Sequence, residues 1–520
     1  MIIGKLILSS KNTYKQVINN KSKSCKKCVI LSGDYKKDSD DNNYDKLIIT
    51  TKEFSSRDIY ISLKPDSNII DQILGTVGNK NDDLNLYHYL YTKNWMSNKE
   101  YKKLWQIYIF DDNYDIVNDR QIYNNQVITV DPKESVDLDD GFYFNMDNNY
   151  YYLDIHIADP ISYFDFSQPC MLQIFNEFIT RVNTCYIPVI NDKMGDPIHL
   201  LPNNIVDKIT LLIDDKHIDK HIDKRSLCFK FKIDKETKDV EFDIIPVKLT
   251  NIFNTNYDDY DIKLNNNISE KFVIIKFINF LIDIMNLNYI KLDDNIENIN
   301  NFDISHTMIE IFMIFVNYYS GKYFQKNIRS MIVRAQDKYE EVNLLTIPKY
   351  VHAFLNHAAS YKLTNDYANN YHNALNINNY CHVSSPMRRV VDMINHMLIY
   401  NIDPNIINNI INDDIIISIN TEIKRQKRIN NAYELVKYLD ITNKFKACIM
   451  DFNTNPDNNI TNLLLVVTNN NIFKKIINVE VPLILINKIE ICKYKELDIE
   501  IYYNSNNFKS SKFPFSIKIL

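Results

Sequence analysis

The sequence predicts an α+β protein of several domains, in which a central α/β unit is flanked by small β-barrels. At 520 residues the chain is longer than one hydrophobic core usually supports, and its 45% apolar content is ample for globular cores. Short β-type stretches separated by polar loops occupy both ends of the chain, whereas the middle combines strands with long helical segments. These observations favour separate β-rich units around a mixed centre.

Four regions follow from this pattern. Residues 1–80 carry short apolar stretches at the spacing of a small barrel, and we expect a small β-barrel there. Residues 81–126 are predicted to be a linker with a helix, because the sequence from Leu84 to Ile109 has helical periodicity. The central unit is expected at 127–440, and β-type runs return at 441–520, where a second small barrel is expected.

The central unit begins with strands and continues with helices. A strand at Val127–Val130 precedes a hairpin made of Phe142–Phe144 and Tyr150–Ile157, with a polar turn between its arms. Further along, Ser305 is a favourable N-cap for a helix that is expected to end near Gly321. Strands followed by helices are typical of a mixed α/β domain.

Composition limits the class of protein and its surroundings. The formal net charge of -6 argues against a broad basic surface for duplex DNA. The most apolar long segment, Phe272–Met285, contains Lys276 and Asp283 and predicts a buried helix rather than a membrane span. Scattered cysteines, of which only Cys25 and Cys28 are closely spaced, and the absence of a signal-peptide pattern favour a reducing environment. We expect an intracellular, cytoplasmic monomer without a membrane partner.

Four aspartates, Asp131, Asp137, Asp139 and Asp140, lie on a short turn between two strand-like stretches. Because side chains alternate along extended backbone, several of these carboxyls can converge on one point. Clustered carboxylates raise one another's pKa unless a cation lies among them, and Mg²⁺, which takes oxygen ligands, is the simplest candidate. The alternative is a solvated acidic turn, since adjacent aspartates also occur elsewhere in this Asp-rich chain.

A second candidate site lies in the segment Tyr380–His396. Ser385 is a natural N-cap and Pro386 a natural first helical residue, which predicts a helix beginning at Ser385. Arg388 and Arg389 then fall in the first turn, where free N–H groups disfavour cations unless an anion such as phosphate docks there. The alternative is an exposed arginine pair that contacts neighbouring carboxylates.

Three further polar residues belong to the same two segments. Asp392 lies one turn beyond Arg388 and is expected to orient its guanidinium. Asp159 ends an apolar strand, and we expect it to add a polar group near the acidic turn. His156, on the same strand, is expected to be a hydrogen-bonded core histidine.

Both segments resemble the signatures of the ribonuclease II/ribonuclease R (RNB) superfamily, which includes the catalytic subunit of the eukaryotic exosome. The first signature is carried by the four aspartates together with Ile155–Pro160, and the second by Tyr380–Arg389 with Asp392 and His396. Weaker similarity occurs between the signatures, at Arg181–Pro188, Pro197–Pro202, Ile309–Asn317, Ala359–Tyr361 and His372–Leu375. Two rare motifs in the right order are more specific than either motif alone.

The resemblance implies a hydrolytic 3′→5′ exoribonuclease that degrades single-stranded RNA to nucleoside 5′-monophosphates. It implies a central RNB-type catalytic domain flanked by a cold-shock-like OB-fold at 1–80 and an OB-like RNA-binding domain at 441–520. Magnesium, or manganese, would be held by Asp131, Asp137, Asp139 and Asp140, and catalysis would depend on Asp139, Asp140 and Arg388. The residues that the resemblance assigns to RNA binding are Tyr186, Arg389, His382 and Ser385.

Two other functions stay open at this point. One is a catalytically weak RNA-binding scaffold with the same fold, which the intact aspartates and Arg388 argue against. The other is a deoxyribonuclease or phosphodiesterase with similar metal ligands, because the sequence does not display the 2′-hydroxyl contacts that select RNA. The chain also departs from relatives where Asn431 stands in place of a glutamate, and Phe253 and Tyr257 are candidates for further aromatic contacts.

Overall fold

The structure is a computed structural model, and it describes most of the chain. The described residues are 2–9, 14–18, 21–32, 45–49, 57–64, 69–111, 113–190, 197–213, 224–293, 303–327, 330–337, 347–355, 358–364, 370–455, 460–469, 473–482, 491–505 and 515–520.

The N-terminal region forms an antiparallel sheet, as its short apolar stretches predict. Its strands are β1 (Ile2–Leu6), β2 (Tyr14–Ile18), β3 (Lys21–Ser32), β4 (Asp45–Ile49), β5 (Ile59–Leu63) and β6 (Ile70–Thr76). The order is β2-β3-β1-β5-β6, and β4 pairs with β3. Cys28 packs with Leu6, Ile48 and Ile61 in the core of this sheet, which gives it the role of a small apolar side chain.

Two helices, rather than the one expected over Leu84–Ile109, connect this sheet to the centre. They are α1 (Lys80–Thr92) and α2 (Asn98–Ile107). The break has a local cause, because Ser97 starts a new helix with a capping box in which its hydroxyl accepts from the Glu100 N–H. The Glu100 carboxylate in turn accepts from the Ser97 N–H at 3.2 Å.

The centre is built on a seven-stranded sheet. Its strands are β7 (Gln121–Tyr123), β8 (Val127–Asp131), β9 (Asp140–Met146), β10 (Tyr150–Ala158), β11 (Lys224–Asp234), β12 (Val240–Leu249) and β13 (Ile252–Asn256). They are ordered β13-β8-β9-β10-β11-β12-β7. The predicted hairpin is present as β9 and β10, which pair antiparallel. Strands β8 and β13 run parallel, so their carboxyl ends meet at one edge, with Asp131 opposite Asn256.

Helices cover this sheet and complete the central unit. They are α3 (Met171–Arg181), α4 (Asn203–Ile209), α5 (Tyr257–Asn266), α6 (Ile268–Met285), α7 (Ser305–Asn327), α8 (Val390–Ile399), α9 (Pro404–Ile410) and α10 (Asp413–Tyr438). Two small ribbons are β14 (Met331–Ala335) with β15 (Ser360–Thr364), and β16 (Tyr371–His372) with β17 (Ile377–Asn378), and short 3₁₀ helices span Pro160–Tyr163 and Lys349–Phe354. The sheet packs on α6 and α7 through aromatic pairs such as Phe144 with Phe277 and Phe231 with Phe315.

The predicted start of α7 at Ser305 is confirmed, but its predicted end near Gly321 is wrong. The helix runs on to Asn327 because Gly321 serves close packing rather than termination. A Cβ added at Gly321 would lie 1.7 Å from the backbone oxygen of Asn379, so only glycine allows the two backbones to approach.

The C-terminal region is a five-stranded antiparallel sheet. Its strands are β18 (Lys444–Asn455), β19 (Ile460–Asn469), β20 (Phe473–Pro482), β21 (Glu496–Tyr503) and β22 (Phe515–Ile519), in the order β20-β19-β18-β21-β22. Strand β20 also contacts β22, so the sheet curls towards a barrel. The predicted fold class, a central α/β unit with β-rich, OB-like units on either side, is confirmed, whereas the boundaries at 80, 126 and 440 stay predictions. Among the described residues no helix has both the length and the apolar character needed to cross a membrane.

Candidate active site

The acidic turn is held in place by backbone hydrogen bonds to neighbouring segments. Asp131 ends β8 and Asp140 begins β9, and these two strands pair at Ile128 and Phe142. Between them, the Leu138 N–H donates to the Thr210 hydroxyl at 2.9 Å. The carbonyl oxygen of Asp139 accepts from the Ala158 N–H at 2.7 Å. The turn is therefore a fixed part of the fold and not a solvated loop.

Asp139 joins the acidic turn to the second motif. Its side chain is 1% exposed, and its Oδ1 accepts from the backbone N–H of Met387 at 2.9 Å. Its Oδ2 lies 3.3 Å from Nε of Arg388, whose side chain is half exposed. The two sequence motifs, 248 residues apart between Asp139 and Met387, therefore meet at one carboxylate.

Asp137 has a different environment from its neighbours. Its Oδ2 accepts from the Tyr186 hydroxyl at 3.0 Å and lies 3.4 Å from Nδ1 of His199. Burial acts to raise the pKa of Asp137, but the contacts with His199 and Tyr186 outweigh it and hold the pKa below its usual value. Asp137 is thus ionised without any added cation.

The other three carboxyls are destabilised as anions. Burial, followed by the charge of Asp140, raises the pKa of Asp131 to about 8. Burial raises the pKa of Asp140 to about 6, even though Arg388 and Arg389 oppose the rise. Burial also raises the pKa of Asp139 well above its usual value. A further positive charge nearby would favour the ionised form of each of these carboxyls.

Several observations bear on whether a divalent cation fits here. Asp131 Oδ2 and Asp139 Oδ2 are buried and accept no hydrogen bond within the described protein. Carboxylate oxygens are the preferred ligands of Mg²⁺. In the described part of the chain, no group of three or more His, Cys, Asp or Glu side chains is arranged to hold a metal ion. Asp139 contacts Arg388 and Asp137 contacts Tyr186 instead, so the carboxyls fit a cation in their chemistry without forming a ready cage.

The second motif does not begin a helix where the sequence predicts one. Helix α8 begins at Val390 and not at Ser385. The reason is tertiary, because the Thr184 N–H donates to the Arg388 carbonyl at 3.1 Å and the Val390 N–H donates to the Val182 carbonyl at 2.9 Å. These bonds hold Arg389 in extended backbone as the residue that precedes the helix, whereas Arg388 lies in the turn that follows Ser385.

The two arginines consequently point to different partners. Arg388 contacts Asp139, and it also donates to the Ser385 hydroxyl at 2.8 Å. Arg389 donates to Asp392 at 2.7 Å and to the Ser384 hydroxyl at 3.2 Å. The prediction that Asp392 orients Arg388 is wrong, since the fully buried Asp392 binds Arg389 and the Ser385 N–H. Arg388 alone of the pair lies against the acidic turn.

Buried amides hold the second motif in position. Asn317 of α7 accepts from the Val383 N–H at 2.8 Å and donates to the Ser384 hydroxyl at 3.3 Å. Asn395 of α8 donates to the carbonyl oxygen of His382 at 2.8 Å, and His396 Nε2 lies 2.7 Å from the Val383 carbonyl. The segment Ile309–Asn317, noted in the sequence, thus has a structural role through Asn317.

The four residues assigned to RNA contact differ in accessibility. The Tyr186 ring is 51% exposed beside the acidic turn. Arg389 is occupied by Asp392, whereas His382 and Ser385 are buried, with His382 Nδ1 2.8 Å from the Tyr361 hydroxyl. Only Tyr186 offers a free face, and the other three have contacts that position the motif.

The Asp159 side chain binds partners outside the acidic turn, while the N–H of the preceding residue, Ala158, donates to the Asp139 carbonyl. Asp159 forms an ion pair with Arg120 at 2.7 Å and a hydrogen bond with the Tyr400 hydroxyl. Arg120 lies outside both sequence motifs, so its ion pair with Asp159 could not be predicted from them. His156 is the expected core histidine, since it contacts the Ser226 hydroxyl and burial lowers its pKa to about 3. His199 carried no assignment in the sequence, although its segment between Pro197 and Pro202 was noted.

A region of like positive charge lies beside the second motif. Arg334 on β14, Lys427 on α10 and Lys475 on β20 form this region, which we call the cationic row. Burial lowers the pKa of Lys427, and the charges of Arg334 and Lys475 lower it further. Among the described residues, no carboxylate forms an ion pair with Arg334 or Lys427.

The cationic row follows one face of α10. The Tyr361 N–H donates to Asn420 of α10 at 2.8 Å, and Arg334 lies over the Tyr361 ring at 5.4 Å. Lys427 is two helical turns beyond Asn420, and Glu434, a further two turns on, pairs with Lys475. The row therefore runs from the second motif towards the C-terminal barrel.

Comparison with known proteins gives one family and several similar structures. The family model described as "RNB domain" matches residues 119–403, more than half of the chain. The whole chain (100%) aligns with 90% of the apo form of Mycoplasma genitalium RNase R at a TM-score of 0.64 and 15% identity. The same enzyme in complex with ribose-methylated single-stranded RNA aligns over the same shares at a TM-score of 0.63 and 15% identity.

A second exoribonuclease has a similar fold. Dss1 from Candida glabrata aligns at a TM-score of 0.52 and 16% identity, covering 79% of this chain and 58% of Dss1. No curated protein sequence matches the chain. At these identities the structural similarity establishes the fold, and the family model establishes the central domain.

Proposed function

The chain belongs to the RNB family, and from this premise we propose that it is a hydrolytic 3′→5′ exoribonuclease that degrades single-stranded RNA to nucleoside 5′-monophosphates. The observation that carries the proposal is the meeting of the two motifs at Asp139, which contacts both the Met387 N–H and the Arg388 guanidinium. A buried carboxyl cluster beside a half-exposed arginine suits hydrolysis of a phosphodiester.

Each residue of the site has a proposed role. Asp131, Asp137, Asp139 and Asp140 would hold divalent cations, and bound magnesium or manganese would supply an activated water and neutralise charge at the leaving oxygen. Arg388 binds the scissile phosphate and stabilises the negative charge that develops on it. Ser385 and Asp139 orient the Arg388 guanidinium before substrate arrives. Preorganisation of this kind lowers the barrier because the donors need not rearrange during the reaction.

Tyr186 is proposed to bind the 3′-terminal nucleotide. Its half-exposed ring offers a stacking face, while its hydroxyl is anchored on Asp137. Stacking on an aromatic ring tolerates any base and contributes ~1–3 kcal/mol per base. The terminal nucleotide would thereby be held next to the carboxyl cluster, where its phosphodiester is cut.

The cationic row is proposed to guide the rest of the strand. Three cations with little compensation from carboxylates suit a polyanion, and their line along α10 suits an extended backbone. Structures similar to this one include Mycoplasma genitalium RNase R in complex with ribose-methylated single-stranded RNA and with double-stranded RNA. We propose single-stranded RNA as the substrate because a strand threaded past Tyr186 must be unpaired there.

Single-stranded RNA labelled at either end tests the proposed function. With magnesium present, 3′-labelled RNA should release labelled mononucleotide at once, whereas 5′-labelled RNA should shorten through a ladder. A DNA strand of the same sequence and RNA with EDTA serve as controls. Internal fragments, or cleavage that depends on inorganic phosphate, would refute the mechanism.

A second candidate is a catalytically weak RNA-binding scaffold. The observation in its favour is that the carboxyls of the described residues do not form a ready metal cage, because Asp137 and Asp139 contact protein groups. A scaffold would bind the same RNA and leave both labels intact under all metal conditions. RNA hydrolysis by the wild-type protein that is abolished in Asp139→Asn would favour the exoribonuclease over the scaffold.

A further inference from the structure

A cavity of about 420 Å³ opens off the acidic turn on the side of β13. It lies where the parallel strands β8 and β13 end, the edge of a sheet at which ligands commonly bind. Asp131 belongs both to its wall and to the carboxyl cluster. The cavity is therefore the immediate neighbour of the proposed cleavage site and is not needed to hold the metal or Arg388.

The walls of this cavity combine aromatic rings with two lysines and two aspartates, Asp131 and Asp259. Phe253 of β13 lines this cavity and is 47% exposed, so its ring is open to a ligand. Lys133 lies in the turn after Asp131, and Lys263 enters from α5. Lys263 is only loosely paired, since its nearest carboxylate, Glu270, is 3.8 Å away. An aromatic ring with ammonium groups nearby is suited to a nucleotide, whose base stacks and whose phosphate binds the cations.

The size of the cavity points to a single nucleotide. A volume of about 420 Å³ lies in the range of small-molecule sites, roughly 300–1,000 Å³. A larger cavity of about 540 Å³ between β9 and α6 is lined by apolar groups such as Phe144 and Phe277 and contains no lysine or arginine. Of the two, only the cavity at Phe253 has the chemistry of a nucleotide site.

We propose that this cavity binds the released nucleoside 5′-monophosphate, with Phe253 stacked on the base and Lys133 and Lys263 against the phosphate. The inference rests on the proposed function, since it concerns the product of that reaction. Hydrolysis converts a phosphodiester with one negative charge into a monoester with a charge of about −1.5 to −2. The added charge strengthens the attraction between the product and the two lysines.

Binding of AMP tests the proposal without any turnover. Titration of the full chain by calorimetry in EDTA removes metal-mediated binding, and adenosine is the matched probe without a phosphate. We expect saturable AMP binding that Phe253→Ala weakens about tenfold or more. Phe452→Ala, which removes another exposed aromatic ring, should leave AMP binding unchanged. The double variant Lys133→Gln with Lys263→Gln should weaken binding of AMP but not of adenosine.

The results that would contradict the product site differ from those that would contradict the proposed function. AMP binding in Phe253→Ala equal to that of the wild type, alongside normal RNA hydrolysis, would overturn the product site alone. If Phe253→Ala weakens binding of an oligoadenylate as much as it weakens binding of AMP, the cavity holds the RNA strand. That result would also overturn the product site. Absence of RNA hydrolysis by the wild-type protein would instead refute the proposed function. In the turnover assay, the inhibition constant for AMP should rise about tenfold in Phe253→Ala.

Discussion

The acidic turn and the cationic row both gather charges of one sign, but they do so in opposite ways. The carboxyls of the acidic turn come from one short segment and are buried, and the pKa values of Asp131, Asp139 and Asp140 are all raised. The cations of the row come from three separate elements, and the pKa of Lys427 is lowered. Each region favours a ligand of the opposite charge, a small cation in one and a polyanion in the other.

The difference teaches how catalysis and binding are divided in this protein. Buried carboxyls fixed by backbone hydrogen bonds provide a precise site, in which loss of one oxygen affects the reaction. A line of cations with less defined partners provides affinity that tolerates any sequence. Variants of the acidic turn should therefore change the rate, and variants of the row should change the binding constant.

The largest effect is expected for Asp139→Asn. Asparagine keeps an oxygen for the Met387 N–H but removes the charge beside Arg388, so the single-turnover rate of RNA hydrolysis should fall about 10³-fold or more. RNA affinity, measured by fluorescence anisotropy, should stay largely intact. Asp414→Asn, at an exposed aspartate of α10, is the matched control and should hydrolyse RNA normally. If Asp139→Asn loses RNA affinity and hydrolysis rate to the same extent, the acidic turn has a structural role and not a catalytic one.

Arg388→Ala is expected to lower the hydrolysis rate about 10²-fold, because it removes the donor to the phosphate. Arg388→Lys should recover only part of the rate, since an ammonium group lacks the planar fork of a guanidinium. Arg389→Ala is the informative contrast, because it leaves the buried Asp392 without its ion-pair partner and should reduce the melting temperature. If Arg388→Ala and Arg389→Ala lose the same amount of rate and neither loses stability, the two arginines do not have separate roles.

Lys427→Gln should weaken binding of single-stranded RNA several-fold and lower the slope of log affinity against log salt by about 0.7. The reason is that one counterion-releasing contact is lost from the cationic row. Lys103→Gln removes an exposed lysine of α2, a different helix, and should preserve the slope. If the two variants have the same salt dependence as the wild type, the row does not contact RNA.

The smallest effect is expected on the stability of the metal-free protein. The pKa of Asp131 is raised to about 8 in the folded state, so its contribution to stability is fully present below pH 4 and is lost as pH rises towards 8. Asp131→Asn should therefore melt a few degrees above the wild type at pH 8 in EDTA, with a smaller difference at pH 5. Added magnesium should reduce this difference in melting temperature, because it stabilises only the wild type. A difference that does not vary with pH would contradict the raised pKa.

The predictions that the structure confirms concern features formed by residues that are close together in the sequence. The acidic turn, the β9–β10 hairpin and the start of α7 follow from local patterns, and the family and fold class were predicted correctly. The start of α8 was predicted wrongly because cap and proline signals at Ser385 and Pro386 were overridden by pairing of residues 388–390 with 182–184. The cationic row was missed because Arg334, Lys427 and Lys475 meet only through tertiary packing. Magnesium dependence, the domain boundaries, the monomeric state and the cytoplasmic location stay predictions.

Direct titration with Mn²⁺ tests the central claim, that the carboxyl cluster holds a divalent cation next to Arg388. The signal of free Mn²⁺ in electron paramagnetic resonance measures binding without RNA and without turnover. The account predicts saturable binding by the wild type that is lost in Asp131→Asn and in Asp139→Asn while circular dichroism stays unchanged. Mn²⁺ binding of equal strength in the wild type and in both variants would contradict it.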